Sequence, residues 1–409
     1  MNGARDYDLL IVGGGMVGSS LALALAGRGL RIGLIEAVAP SIDAQPSYDD
    51  RAIALALGSR RFFAALDLWG AMAHVAEPIR EIHVSDRGHF GFTRLSAAQE
   101  GVPALGYVAA ARQIGAALNA ALLARDDIDL IAPARVTAVF PEVERVRVQV
   151  SIDGAELEHT ARLLVAADGG QSFVREALGF RTRRWEYGAS AVVANLSTER
   201  PHQGVAFERF TDQGPVALLP MREARCALVW TVAEGELDAV LGYDDETFLA
   251  RFQDRFGYRL GRFTRVGRRT GYPLSFLRVL DSVGQRVAVI GNAAHTLHPI
   301  AGQGLNLGVR DVAALAEVVA DAQRAGGDPG GSETLAAYER WRRRDQQRVA
   351  FATDGLARLF ANPLPPLRLA RNLGMLALDA LPVAKHRLAR AAMGVGGPLP
   401  RLARGVRLD

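Results

Sequence analysis

Cysteine is nearly absent: 409 residues include only Cys226. No intrachain disulfide can form, and a reducing, cytoplasmic setting fits. Cys226 itself stands in an apolar, strand-like run and reads as core rather than as a nucleophile. Lysine is as scarce, with Lys385 alone among 48 basic residues, a bias along the whole chain that reflects genome composition more than function. No apolar run approaches the roughly 20 residues needed to span a bilayer. The opening MNGARDYDLL reaches a strand pattern too early to hold the charged and apolar regions of a secretory signal. Low-complexity tracts and internal repeats are missing as well. The net charge is a modest +4, and the basic C-terminal end has no interleaved aromatics for bases to stack on, which disfavours nucleic acid as a partner. What remains is a chain with 49% hydrophobic residues, enough for a large core and, by length, roughly two or three domains. No metal site is expected.

Glycine, by contrast, is plentiful, and two Gly-rich segments stand near opposite ends. The first places Gly13-x-Gly15-x-x-Gly18 directly after an apolar run at residues 7–12 and before a helix-patterned stretch. In such a strand-turn-helix unit Gly13 permits the turn, Gly15 lets the backbone approach a pyrophosphate, and Gly18 lets the helix pack on the strand. The helix N-terminus offers its unpaired N–H groups to the phosphates. Glu36 closes the next strand, residues 31–35. An acid about 20 residues beyond the glycines accepts hydrogen bonds from both ribose hydroxyls of a dinucleotide and disfavours a 2′-phosphate. The second segment follows a strand at residues 286–290, where Gly291, Pro299, Gly302 and Gly304 form a loop that residues 305–319 continue as a helix. A helix N-terminus built this way stabilises negative charge on a bound ring by on the order of 1 kcal/mol per interaction.

Between these segments come a polar loop at residues 40–50, a helix at 56–66, strands at 79–85 and 90–95, a helix at 113–123, and strands at 135–140, 145–152 and 163–166. Strands at 189–196, 205–210, 216–220 and 226–232 follow with turn residues between them, which reads as an antiparallel sheet; a short helix at 248–256 comes next. The fold class expected is α/β plus β: a Rossmann-like nucleotide domain (residues 1–80, 111–180 and 281–360) interrupted by an antiparallel-sheet substrate domain (81–110 and 181–280), with a basic helical C-terminus (361–409). From Arg368 onward eight basic residues face only Asp379 and Asp409, and the stretches LRLARNLGMLALDAL and VAKHRLARAAM set apolar residues against arginines. Such faces suit a membrane surface or a partner groove; packing on the chain's own domain is the alternative.

Three segments carry a family resemblance. Gly13 to Gly18, the run Ala167-Asp168-Gly169-Gly170-Gln171-Ser172, and Gly291 to Asn306 are similar, in order and spacing, to the GxGxxG, DG and GD motifs of single-component FAD-dependent aromatic hydroxylases. Tyr48-Asp49-Asp50-Arg51, Val84-Ser85-Asp86-Arg87-Gly88, Ala206-Phe207-Glu208-Arg209-Phe210-Thr211 and His298-Pro299-Ile300-Ala301-Gly302 resemble the ubiquinone-biosynthesis branch of that family, and the likeness extends over essentially the whole chain. It implies that Glu36 holds the adenosine ribose, that Arg51 contacts the phosphates or ribityl chain, and that Arg112 borders the cofactor, with Gln113 a weaker candidate. Asp168 and Gly169 would lie near the pyrophosphate, and Asn292, Gly302, Gly304 and Asn306 would meet the flavin. One departure stands out: the GD motif usually has Asp where this chain has Asn292. An amide keeps an acceptor and loses the charge, which predicts weaker retention of FAD.

The activity implied is that of an FAD-dependent monooxygenase. NAD(P)H, a transient co-substrate because the chain has no second GxGxxG, would reduce FAD. O2 would then add at the flavin C4a, and the hydroperoxide would hydroxylate an electron-rich polyprenylated methoxyphenol. A phenol reacts better as phenolate, so a base helps; His298, beside Pro299, is the first candidate and His295 the second, with a structural role in the loop as the alternative. An insoluble prenylated substrate would give the C-terminus a task at the inner face of the membrane or in a quinone-synthesis complex. Three other readings stay open. A sister enzyme hydroxylating another ring carbon would share every motif. A flavin dehydrogenase or reductase would lack the paired DG and GD signatures. A non-catalytic FAD-binding scaffold has no need of the intact Pro299, Gly302 and Gly304 loop. Halogenation is disfavoured, since the four tryptophans form no Trp-x-Trp pair.

Overall fold

The apolar run at Asp6–Val12 becomes the middle strand of a parallel ladder. It pairs with Ala155–Ala166 on one side and Ile32–Ile35 on the other, and Val287–Val289 and Ile128–Ile131 extend the parallel set outward. Parallel strands buried on both faces read as near-continuous apolar runs, which is the composition of these segments. Helices Met16–Leu25, Ala111–Leu123 and Gln303–Arg324 share one core cluster with Leu9 and Ile11 on the first face. The ribbon Arg135–Pro141 with Val146–Ile152 packs its valines against Leu10, Val12 and Leu164 on the other. The edge strand Ile128–Ile131 was not foreseen; four residues carry too little period to read. The computed structural model describes residues 5–39, 51–362 and 364–408, and the expected polar loop at 40–50, with Tyr48, Asp49 and Asp50, lies outside them.

A second sheet of nine strands is built on Thr182–Thr198, beside which lie Arg225–Ala233, Gly214–Met221 and Val205–Thr211 in antiparallel order. The expectation of a purely antiparallel sheet needs correction at one pair. Val205–Thr211 runs parallel to Glu81–Asp86, a pairing open to strands so far apart in sequence because parallel neighbours need a long connection. Thr270–Val279, paired to Thr182–Thr198, is also an addition. Its Gly271 and Pro273 look like turn residues, but Pro273 stands opposite Ser190, where the register shifts between Glu186 and Ser190, and a missing N–H is tolerated at such an irregularity. Alternation gives this sheet two faces, with Phe207 and Leu228 of the helix-facing core also reaching the cavity on the other. Val192, Leu218 and Leu228 face Phe248, Phe252 and Phe256 of helix Asp245–Phe256. Cys226 lies in that same core, and burial pushes its thiol up to about 12.

The two C-terminal helices, Pro365–Ala380 and Pro382–Ala392, pack on strand Phe92–Ser96. Buried Asn372 accepts from Gly91 N at 2.8 Å and donates to Asp86 Oδ2 at 2.9 Å, where Arg371 Nε also donates at 2.9 Å. Their other side leaves Leu369, Leu373, Leu381 and Val383 exposed. One face of the pair thus packs on the chain's own domain, and the other leaves apolar side chains exposed. Among the described residues no helix is long and apolar enough to cross a membrane.

Candidate functional site

A cavity of about 1590 Å³ runs from the carboxyl ends of the parallel strands to the inner face of the second sheet. Every cofactor candidate named from sequence lines it except Gly18 and the weaker candidate Gln113, and Pro299 lines it too. Gly18 serves from beneath: a Cβ there would sit 1.9 Å from Gly13 O, so only glycine lets the helix lie this close. Gly13 has φ +104°, and its Cβ would meet Ala167 O at 2.5 Å. Gly15 caps helix Met16–Leu25 without any side-chain cap, leaving first-turn N–H groups for an anion. Glu36 is held at the strand end by Gly14 N at 2.6 Å and Val38 N at 2.9 Å.

The remaining polar groups fit a dinucleotide of FAD's kind. Asp168 accepts from Val174 N at 3.2 Å through Oδ2, while Oδ1 is buried with no protein partner, and burial raises its pKa. A buried acceptor of this sort calls for a donor from a ligand. Beside it Gly169, at φ +84°, faces open space, as does Gly304. Gly302 caps helix Gln303–Arg324 in the left-handed region, again with no side-chain cap. Arg51 stands 5.3 Å from the Tyr272 ring centroid, both residues lining the cavity, and Arg112 and Asn292 lie exposed at its wall.

Two expectations change. Asn306 Oδ1 accepts from Ala56 N and Ser59 Oγ, both at 2.8 Å, and Nδ2 donates to Ala54 O at 2.7 Å and Gly302 O at 2.8 Å. An amide has two donors and two lone pairs to give. Asn306 thus clamps the loop to its neighbours and keeps nothing for a cofactor. His298 is buried outside the cavity wall, edge-on to Tyr187 with centroids 5.1 Å apart, and burial pushes it down to about 4. It is neutral at pH 7 and does not face a ring in the cavity. His295 also lies off the wall, bonded to Asp311 at 2.6 Å. Asp311 further takes Gly291 N at 3.2 Å, Arg342 Nε at 2.9 Å and Gln346 Nε2 at 2.9 Å. Burial alone would raise this carboxyl, but His295 and Arg342 outweigh it and hold the group well below the usual carboxylate range. This network, which sequence reasoning missed, ties the Gly291 turn to both long helices.

The second sheet presents a transverse row to the cavity: Val84, Glu208, Ala217, Val229, Val193 and Thr270 pair in succession, and all line it. Only Glu208 in this row is charged. The resemblance included Glu208 without giving it a role; it lies on strand Val205–Thr211 with Ala206, Phe207 and Phe210, which also line the cavity.

Comparison with known proteins agrees with this geometry. Residues 6–353 match the family described as "FAD binding domain". The chain is 40% identical over 404 residues to "Ubiquinone hydroxylase UbiL" of Rhodospirillum rubrum, covering 98% of this chain and 93% of that one. It is 32% identical to "3-demethoxyubiquinol 3-hydroxylase" of Escherichia coli, covering 96% and 99% respectively. Among solved structures, p-nitrophenol 4-monooxygenase PnpA from Pseudomonas putida aligns over 97% of this chain and all of its own with TM-score 0.79 at 17% identity, a likeness of fold.

Proposed function

We propose, from the premise that this chain belongs to the FAD-dependent aromatic hydroxylases in their ubiquinone-biosynthesis branch and is an FAD-dependent monooxygenase, that it hydroxylates a polyprenylated phenol of that pathway. The observation that carries this reading is the single cavity that joins the dinucleotide grips to an apolar sheet face bearing one carboxylate. When bound, FAD supplies electrons from NAD(P)H to O2 and delivers one oxygen atom to the phenol. The protein's residues do the rest. Glu36 would hold the ribose, the N–H groups at the Gly15 helix end would hold the diphosphate, Asp168 would accept from a cofactor hydroxyl, and Arg51 and Asn292 would take the ribityl side. The uncapped N-terminus at Gly302 favours negative charge on the reduced ring. Pro299 and Ile300 wall the reacting face and exclude water.

The proton acceptor is the Glu208 carboxylate, in place of the His298 imidazole. Glu208 is on the wall where the phenol lies, and it takes the hydroxyl proton as the ring is attacked. His298 positions the loop that carries Pro299. The exposed leucines on the C-terminal helices, with the arginines around them, suit a peripheral contact with an anionic membrane surface. The test incubates the FAD-loaded protein with NADPH, labelled O2 and two short-chain substrates, a 2-prenyl-6-methoxyphenol and the matching demethoxyubiquinol, and identifies the products by mass spectrometry and NMR. One labelled oxygen on either ring establishes the reaction and its carbon; NADPH consumed with peroxide alone from both refutes it.

A further inference from the structure

We infer that His83, Arg209 and Arg259 form a phosphate-binding site on the face of the second sheet that turns away from the cavity. Ile82 and Val84 of strand Glu81–Asp86 line the cavity, and His83 between them is buried on the opposite side. The neighbouring strand Val205–Thr211 places Phe207 beside His83 and Arg209 beside Ser85, so Arg209 stands one pleat further along the same face. Its guanidinium reaches the turn that ends helix Asp245–Phe256: a Cβ at Gly257 would lie 3.8 Å from Nη1, and Arg259 follows two residues later. The Phe92 and Phe207 rings flank the imidazole at 6.1 and 6.0 Å between centroids. Arg259 is exposed and Arg209 half-buried, which leaves the site open to solvent on one side. None of the three side chains lines the flavin cavity.

Every polar group at this point is a donor. His83 Nδ1 accepts from Arg94 Nε at 3.3 Å, so the neutral ring carries its proton on Nε2, which is buried with no partner. Arg209 Nε is buried without a partner as well, and among the described residues the side chains of Arg209 and Arg259 have no hydrogen bond or ion pair. Nearby carboxylates are engaged elsewhere: Asp86 Oδ2 takes Arg371 Nε and Asn372 Nδ2, both at 2.9 Å, Asp212 takes Arg255 at 2.8 Å, and Glu81 stands 3.8 Å from Arg94. The carbonyls that end a helix attract cations, but Asp254 O takes Arg87 Nη2 at 2.9 Å and leaves Arg209 and Arg259 unanswered. The charges also work against one another. Burial, then Arg259, Arg94 and Arg209, push His83 down to about 4, and burial, then Arg259 and Arg87, lower Arg209. Buried donors of this kind call for an acceptor, and a cluster that repels itself calls for a negative one. A phosphate group has the charge and the oxygens to take an imidazole and two guanidinium donors together. It arrives on a soluble ester or on a lipid headgroup, since Asp86 of the same strand is bonded to Arg371 and Asn372 of the C-terminal helices.

The experiment dialyses the FAD-loaded protein, whose own diphosphate grips are then filled, against radiolabelled inorganic phosphate, with Arg209→Gln and the exposed-site variant Arg259→Gln beside wild type. Wild type is expected to bind one phosphate per chain saturably, and each variant about tenfold more weakly at unchanged flavin content. The His83 ring resonance, assigned by its absence in His83→Phe, should shift in nitrogen NMR in step with that saturation. No saturable binding, equal binding by wild type and Arg259→Gln, or a His83 resonance indifferent to phosphate overturns the site. Two further probes separate the sources. Glycerol 3-phosphate that displaces the label, with flotation on phosphatidylcholine vesicles containing phosphatidic acid unchanged by Arg259→Gln, assigns a soluble ester. Flotation that falls in Arg259→Gln, with the label displaced by dihexanoylphosphatidic acid and not by glycerol 3-phosphate, assigns a lipid headgroup.

Discussion

The two ends of the cavity recognise their ligands by different physics. At the nucleotide end the backbone does the work: Gly13 and Gly302 adopt positive φ, Gly18 admits a helix, and two uncapped helix N-termini point inward. At the sheet end side chains do it, through strand alternation that turns Glu208 and its apolar row inward and through rings that meet from positions as distant as Phe210 and Phe360. The first end therefore discriminates by close approach to a fixed polar shape, where a single added Cβ is decisive. The second offers apolar area and, on the proposed reading, one proton acceptor, where changes are graded.

That contrast is sharpest at Gly13. Gly13→Val forces a branched side chain into Ala167 at a backbone angle it rarely adopts, so flavin absorbance per purified protein should fall more than tenfold. Next in size is Asp311→Ala, which strands His295 and Arg342 in the core and should lower unfolding free energy by about 3–5 kcal/mol in urea titrations. At the sheet end, Glu208→Gln should reduce product formation about 100-fold, near 2.7 kcal/mol, while NADPH oxidation stays within about twofold of wild type. Full hydroxylation by this variant would remove Glu208 as proton acceptor. Acid should lower the stability of the fold as a whole. Burial pushes His83 and His298 down to about 4, below the unfolded value near 6.5, so between these limits the unfolded chain binds more protons. Their stabilisation is complete above pH 6.5 and lost as pH falls toward 4, on the order of 2 kcal/mol each by pH 5 in chemical denaturation. The smallest effect is expected outside the cavity: Leu373→Asp should weaken binding to anionic liposomes by about 1 kcal/mol and leave turnover of an unprenylated phenol unchanged.

How much of this was legible follows the same divide. The proposed nucleotide grips are local, so Gly13, Gly15, Gly18 and Glu36 could be singled out from spacing within one strand-turn-helix-strand unit, and Asp168, Asn292 and Gly302 from motifs; all of these but Gly18 line the cavity. What a local motif could not reveal is how a side chain spends its hydrogen bonds. Asn306 sits in a cofactor motif and is fully engaged by Ala54, Ala56, Ser59 and Gly302; His298 precedes Pro299 but packs against Tyr187 and does not line the cavity. The sheet end was less visible still. Pro273 disguised a strand, the parallel pairing of Glu81–Asp86 joins distant segments, and Asp311 draws partners from two helices. These features are set by tertiary contacts with no short sequence period.

The central claim is that both ends serve one reaction site. Titrating the FAD-loaded protein with a farnesylated methoxyphenol while recording flavin absorbance tests it most directly. A saturable shift of the flavin bands, with the same midpoint as binding measured by equilibrium dialysis, is the predicted result. Saturable binding by dialysis with no change in the flavin spectrum would place the phenol away from the ring and contradict the account.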